Sequence, residues 1–438
     1  MKIGIYILNK YAKQAYKKEC YNVRVNAGIS VVCDILSRHG YDDIKYTSSA
    51  TVTKFDIILF SVTADCDWWE FIAERNKWPS GNYKVIVGGQ GVLNVRPFLP
   101  WVDYFMLGRA EGEIDKLVSA LDKCGEYESK YVINSKTFSP SKQYYIKQAK
   151  NIYPYDVHLA SGDTYHEDVI GCNHRCLFCG YTWHRKHVKQ EEFNYSGLWN
   201  GGKDRERAMI DMHNGIDVDL VKLRTTAIDG LSERLRFMVN KRITREMLRE
   251  FIINLARCDK PHQVKFYNII GYPTETIDDW FEFVDDVSIC DAEFKKQDKQ
   301  TSILLHSTPF RAMPATPLAC KPMSYKNYRR EIARVLGRGK YKGNIFYQGN
   351  AIWCVESMAT ESLPTVIQSA IVWRGTEADS DSFIKVASSK KFKSANANTK
   401  QATLEKYFDV GTLFGPFTPD TLPTKYLKTY CNVEKMWG

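Results

Sequence analysis

Three cysteines at a C-x3-C-x2-C spacing, Cys172, Cys176 and Cys179, constrain this chain more than any other stretch. They stand between Asp168 and Gly180, with a short apolar run and Gly171 just before the first of them. A strand is therefore expected to end where the cysteines begin, and one short loop can turn three sulfurs toward one centre. Thiolates so spaced suit zinc or an iron–sulfur cluster. A structural zinc site closes its tetrahedron with four protein ligands, and His174 or His184 is at hand as the fourth. A cubane held by three thiolates leaves one iron open instead. A disulfide framework fits poorly, because the twelve cysteines are spread unevenly over 438 residues and no secretory signal is read.

The run Cys172-x3-Cys176-x-Phe178-Cys179 resembles the signature of the radical S-adenosylmethionine (SAM) enzymes. The resemblance implies a [4Fe–4S] cluster on Cys172, Cys176 and Cys179, its remaining iron chelated by the amino and carboxylate groups of SAM. It implies one-electron cleavage of SAM to a 5′-deoxyadenosyl radical. The electron would come from a partner such as flavodoxin or ferredoxin. Phe178 belongs to the same pattern and is expected near the adenine.

The length predicts two or three domains. A hydrophobic fraction of 44% supports a sizeable core, and 26% charged residues is ordinary for a soluble chain. The apolar run Ile3–Leu8 is too short for a signal peptide, and no run is long enough to span a bilayer. A reducing, cytoplasmic location without a membrane partner is expected. The net charge of +10 is compatible with nucleic acid as a partner or substrate, and equally with solvated lysines on an enzyme surface.

Residues 1–122 alternate strand and helix. Strands are expected at Ile3–Leu8, Ile44–Thr47, Phe55–Val62, Lys84–Val87 and Tyr104–Leu107, and helices at Gly28–His39, Trp68–Asn76 and Glu113–Leu121. That alternation means an α/β domain with a parallel, doubly wound, Rossmann-like sheet, which binds ligands at the carboxyl ends of its strands. Three turns fall there: Ser61–Thr63, Gly88–Gly91 and Gly108–Glu113. Glycine in such turns lets a ligand approach the backbone. The set resembles the cobalamin-binding domain that precedes many radical SAM cores, although Arg109 and Ala110 depart from its pattern. The resemblance implies cobalamin contacts from Ser61, Thr63, Gly88, Gly89, Gly108 and Glu111. No histidine occurs in residues 9–25 to ligate cobalt, and a domain that kept the fold without the cofactor stays open. No glycine-rich phosphate loop follows the first strand.

Residues 123–167 read as a connector with one or two short strands packed on the next domain. Residues 168–319 read as a partial (β/α)6 barrel. Within it Tyr181–Lys189 is aromatic and basic, either a wall for an anionic substrate or a solvated loop. Asn200–Lys203 is the nearest stretch to a Gly-Gly-Glu turn but lacks the glutamate. Val221–Arg236 and Val264–Thr276 resemble the two later SAM-binding segments of the family. By that resemblance Asp229, Ser232, Arg234 and Gly271 join Phe178 as SAM contacts. Ser232 also reads as a helix N-cap, and Glu275 as a first-turn charge matched to a helix dipole. His306 faces the site or is a satisfied interior histidine.

Residues 320–438 read as a mainly helical cap, with helices at Tyr325–Leu336 and Ser362–Ile371 and a mobile Lys385–Lys400 segment. The functional expectation is a radical SAM enzyme that methylates an unactivated carbon with cobalamin. Its alternatives are a cobalamin-independent radical modification, nucleic-acid bases included, and a zinc-binding nucleic-acid module.

Overall fold

The computed structural model of the protein describes residues 1–8, 27–158, 164–167, 169–172, 174–185, 188–189, 208–258, 263–297, 302–314, 316–321, 341–342, 345–348, 351–356 and 363–408. The Asn200–Lys203 turn, the helix expected at Tyr325–Leu336 and the loop after the first strand lie outside these residues.

The N-terminal unit runs β1 (Ile3–Tyr6), α1 (Ala27–Arg38), β2 (Ile44–Thr47), β3 (Ile57–Ser61), α2 (Asp65–Arg75), β4 (Lys84–Gly88), β5 (Tyr104–Met106) and α3 (Ile114–Asp122). Its sheet has the order β2-β1-β3-β4-β5, all parallel. This flavodoxin-like order places a ligand outside the carboxyl ends of the strands. Period-2 alternation gives the sheet two apolar faces. Ile58 and Phe60 face Trp68 and Phe71 of α2, while Ile57 and Leu59 face α1 and α3. Aromatic contacts tighten the first face: Phe60 stacks on Phe71 with centroids 4.4 Å apart, and Trp68 on Phe98 at 3.9 Å.

Here the connector differs from expectation. Gln148 of the connector donates to the His184 carbonyl in the next unit, but strand β6 (Val132–Asn134) adds antiparallel to β5 and extends the first sheet. The reason is burial on both faces: Ile133 joins one apolar cluster and Val132 the other. A hairpin, β7 (Val157–His158) with β8 (Thr164–Tyr165), follows.

The second unit opens with β9 (Val169–Ile170), α4 (Gly180–Trp183) and β10 (Val188–Lys189), the two strands antiparallel. Then come α5 (Ala208–His213), β11 (Thr225–Ala227), α6 (Glu233–Met238), α7 (Arg245–Arg257), β12 (Gln263–Ile270), α8 (Ile277–Gln297) and β13 (Ser302–Pro309). The strands β11, β12 and β13 are parallel neighbours. Val264, Phe266, Ile303 and Leu305 pack outward against Phe251, Leu255 and Trp280 of the helices. Lys265, Tyr267 and Ile269 alternate to the other face of β12, where Tyr267 is exposed.

The C-terminal region is less helical than expected. Beyond β14 (Tyr341–Lys342) and β15 (Ile345–Gln348), strand β16 (Ala351–Glu356) pairs parallel with β13 and extends the same sheet. Helices α9 (Leu363–Arg374), α10 (Glu377–Ser388), α11 (Lys390–Ser394) and α12 (Ala397–Tyr407) follow. The segment expected to be mobile is thus helical. Ser389 and Asn396 cap its helices by accepting the N–H groups of Phe392 and Thr399, and Phe392 and Leu404 are buried. Among the described residues no helix is long and apolar enough to cross a membrane.

Phe71 is fully buried between Phe60 and Trp78. Phe71→Ala is expected to cost about 3–5 kcal/mol in urea unfolding; a change below about 1 kcal/mol would mean that this face of the sheet is not packed as described.

Candidate functional site

Gly171, at φ +70°, turns the chain out of β9 and into Cys172. The loop that follows is braced from several sides. Thr182 donates its hydroxyl to the Cys172 carbonyl at 2.6 Å, and Trp183 donates its indole N–H to the Cys176 carbonyl at 2.9 Å. Asn240 donates to the carbonyls of His174 and Arg175, both at 3.1 Å. Backbone bonds run from Leu177 N–H to the Val239 carbonyl and from Leu318 N–H to the Leu177 carbonyl. The His174 amide points at the Cys172 sulfur, 3.5 Å away. None of the three cysteines is in a disulfide; Cys176 is buried, and Cys172 and Cys179 are half-buried.

Among the described residues no group of three or more His, Cys, Asp or Glu side chains is gathered closely enough to hold a metal ion. Three thiolates on one zinc, with bonds of about 2.3 Å in a tetrahedron, stand roughly 3.8 Å apart. Three thiolate donors on one short loop are the donor chemistry of an iron–sulfur cluster, or of a zinc site that finds a fourth ligand. His184 is also engaged elsewhere: Nε2 donates to the Pro314 carbonyl at 2.7 Å. Its burial pushes the imidazole from the usual 6.5 down to about 4.

The residues read as SAM contacts lie together at the carboxyl ends of β11 and β12. Leu177 of the cysteine loop packs there against Leu235, Val239 and Tyr272. The Tyr272 hydroxyl donates to the Asp229 carbonyl at 2.8 Å and ties the two turns. Burial raises that hydroxyl's pKa well above its usual value, with Asp229, Glu275 and Cys176 acting in the same direction. Phe178 is half-buried beside the loop.

Much of this set holds itself together. The Asp229 carboxylate accepts Lys241 Nζ at 2.9 Å in a nearly buried pair. Ser232 accepts the Leu235 N–H at 3.2 Å as the α6 N-cap, and its hydroxyl donates to Asp279. Arg234 pairs with Asp279 at 2.5 Å and donates to the Thr274 carbonyl at 2.9 Å. Gly271 sits at φ +80°, its N–H on Glu275 Oε2 at 2.7 Å. Glu275 also accepts the Tyr272 N–H and the Trp280 indole. It therefore closes the turn itself rather than serving only as a first-turn charge, and burial pushes its carboxyl up to about 7. His306 is half-buried, its ring edge-on to Tyr267 at 5.2 Å.

Ser61, Thr63, Gly88, Gly89, Gly108 and Glu111 line one cavity of about 410 Å³ at the carboxyl ends of β3, β4 and β5. Ile86, Met106 and Ile146 add apolar wall, and Gln90, Arg109 and Arg185 add polar groups. The glycines differ in why they are glycine. Gly89 and Gly108 have positive φ, and a Cβ on them would meet the Val62 and Lys147 carbonyl oxygens at 2.3 and 2.4 Å; the fold itself demands both. At Gly88 a Cβ would meet nothing nearer than Met106 at 3.5 Å. No clash within the fold demands glycine there. Arg109, the departure from the cobalamin-domain pattern, makes a two-pronged pair with Glu167 at 2.6 and 2.7 Å and also binds Glu111. Sequence reasoning missed Glu167, because a single glutamate in a connector carries no signal.

A second cavity of about 460 Å³ lies beside the first. Its wall takes Phe178, Cys179 and Gly180 from the cysteine loop, Ala64 and Asp65 from the first unit, and Thr308 to Arg311 from the end of β13. Thr63, Gln90, Tyr181, His184 and Arg185 line both cavities.

No protein-family model matches the sequence. The search of curated proteins returns no match. Among solved structures, the chain is similar to the radical S-adenosylmethionine methyltransferase TsrM from Kitasatospora setae with tryptophan substrate and the SAM analog aza-SAM bound. The identity is 13% and the TM-score 0.41, over 78% of each chain. A TsrM structure with cobalamin and a [4Fe-4S] cluster bound matches at 12% identity and TM-score 0.40, over 79% of this chain and 80% of that one. The cobalamin-dependent S-adenosylmethionine radical enzyme OxsB, with aqua-cobalamin and SAM bound, matches at 10% identity and TM-score 0.23, over 100% of this chain and 61% of that one. Likeness at this level carries no residue-to-residue correspondence, and the chemistry of this chain rests on its own side chains.

Two outcomes test the site. Thr182→Val removes the brace on Cys172 at a stability cost of about 1 kcal/mol; iron retained after anaerobic reconstitution should fall severalfold while the fold persists by circular dichroism. Full iron loading in that variant would show the brace to be dispensable. His184, held neutral in the fold, contributes stability in full above pH 6.5 and loses it as pH falls toward 4, since the unfolded chain binds the proton first. That slope, on the order of 3 kcal/mol in total, should be absent from His184→Gln in denaturation series run between pH 4 and 7.

Proposed function

We propose that this protein is a radical SAM enzyme that transfers a methyl group to an unactivated carbon of a substrate held between a cluster site and a corrinoid site. The observation that carries the reading is the junction of the two cavities. One lies at the carboxyl ends of a flavodoxin-like sheet, the other reaches Cys179 and Phe178, and five residues line both. When bound, the cluster and SAM supply one-electron cleavage of a sulfonium, and a corrinoid supplies a methyl carrier.

The chain's own residues have definite parts in this reading. Cys172, Cys176 and Cys179 are the three thiolate donors for the cluster. The Gly271 turn and Phe178 flank SAM. Gly88 leaves room for the corrinoid, with Ser61, Thr63, Gln90 and Glu111 as polar contacts around it. Phe178, Phe310, Met313 and Trp373 give the second cavity a largely apolar wall, which excludes water from a site where a reactive radical must meet only its substrate.

One observation favours a second reading without corrinoid. The Arg109–Glu167 pair occupies the cavity wall where the cobalamin-domain pattern has no arginine. Radical chemistry would then modify the substrate without methyl transfer. In both readings the electron comes from a small redox partner.

Anaerobic reconstitution with iron, sulfide, SAM and reductant is expected to yield 5′-deoxyadenosine, and alanine at any of the three cysteines should abolish it. Wild-type protein is expected to retain corrinoid absorbance, whereas Gly88→Val should fold and lose it. Zinc without acid-labile sulfide in the purified protein would overturn the enzyme reading. Corrinoid-free turnover would select the second one.

A further inference from the structure

The second cavity holds two guanidinium groups against one carboxylate. Arg311 donates to Asp65 at 2.6 Å, and Asp65 also accepts the Ser369 hydroxyl, so that pair is internally matched. Arg185 is different. Its Nη2 donates to the neutral Gln90 amide oxygen at 3.2 Å, and its guanidinium lies 4.8 Å from the Tyr181 ring centroid. Among the described residues no carboxylate stands within ion-pair distance of it. His184 beside it is uncharged at neutral pH, so it adds nothing to the balance. Among the described residues the cavity wall thus carries one surplus positive charge and is otherwise mostly apolar. At about 460 Å³ it falls in the range of small-molecule sites, roughly 300–1,000 Å³.

We infer that the second cavity binds a small organic anion with an apolar body, and that Arg185 reads the anionic group. This rests on the reading of the cavity junction as the reaction site and adds the class of substrate to it. A guanidinium presents a planar fork of donors that fits a carboxylate or phosphate in two-pronged fashion. Gln90 and Tyr181 hold that fork in place without neutralising it. Phe310 and Trp373 supply flat apolar surface for the body of the ligand. A charged group fixed at Arg185 leaves the body of the molecule to lie toward Cys179 and Thr308.

The test uses the full-length, reconstituted holoprotein and calorimetric titration with 3-phenylpropionate and its neutral amide. Wild type is expected to bind the carboxylate more than tenfold tighter than the amide. Arg185→Gln should erase that preference with corrinoid and cluster absorbance unchanged, and Arg185→Lys should keep part of it. An undiminished preference in Arg185→Gln overturns the inference, as does failure of wild type to bind either probe. Loss of corrinoid from Arg185→Gln also overturns it, by assigning the guanidinium to the cofactor cavity. Absence of 5′-deoxyadenosine and corrinoid from wild type, alongside an Arg185-dependent preference, would instead sink the functional reading and leave the anion site standing.

Discussion

Hydrogen bonds to the carbonyls of the cysteine loop are the interaction on which the rest of the site depends. A loop that presents three sulfurs outward cannot also bury its own polar backbone, and carbonyls left without partners would carry a desolvation cost. Thr182, Trp183 and Asn240 supply the missing donors from outside the loop. The loop is thereby fixed against α6 and the end of β12.

The two α/β units meet through a few polar anchors set around apolar contact. Arg311 of the second unit reaches across to Asp65, and Arg109 reaches Glu167 at the end of the connector. The Trp69 indole donates to the Gln368 carbonyl, and the Asn94 amide to the Gly375 carbonyl. Buried pairs of this kind contribute orientation more surely than stability, since desolvation offsets much of their attraction. Orientation is what two adjoining cavities need. The carboxyl ends of the parallel strands in both sheets border the joined cavities.

Legibility in the sequence followed the range of the forces involved. The β-strands of the first unit showed in their apolar runs, and the Ser232 cap showed in the serine that opens α6. The connector strand β6 did not show, because its burial depends on a partner strand already placed in the sheet. The helices at 377–407 were hidden by a Lys-, Ser- and Asn-rich composition that resembles a linker. Their caps and the burial of Phe392 and Leu404 outweigh it. Gly88, Gly89 and Gly108 looked alike as letters, yet among these three it is Gly89 and Gly108 that answer to backbone clashes.

Covalent spacing puts three thiols within eight residues directly after a strand, and that much was legible without a structure. Alternation of apolar residues settled the α/β class in the same local way. The meeting of the two cavities belongs to tertiary packing, as do the isolation of Arg185 from any carboxylate among the described residues and the capture of Asp229 and Ser232 by Lys241 and Asp279. Those relations join residues that the chain separates, in several cases by more than a hundred positions, and only the packing of one sheet against another sets such distances.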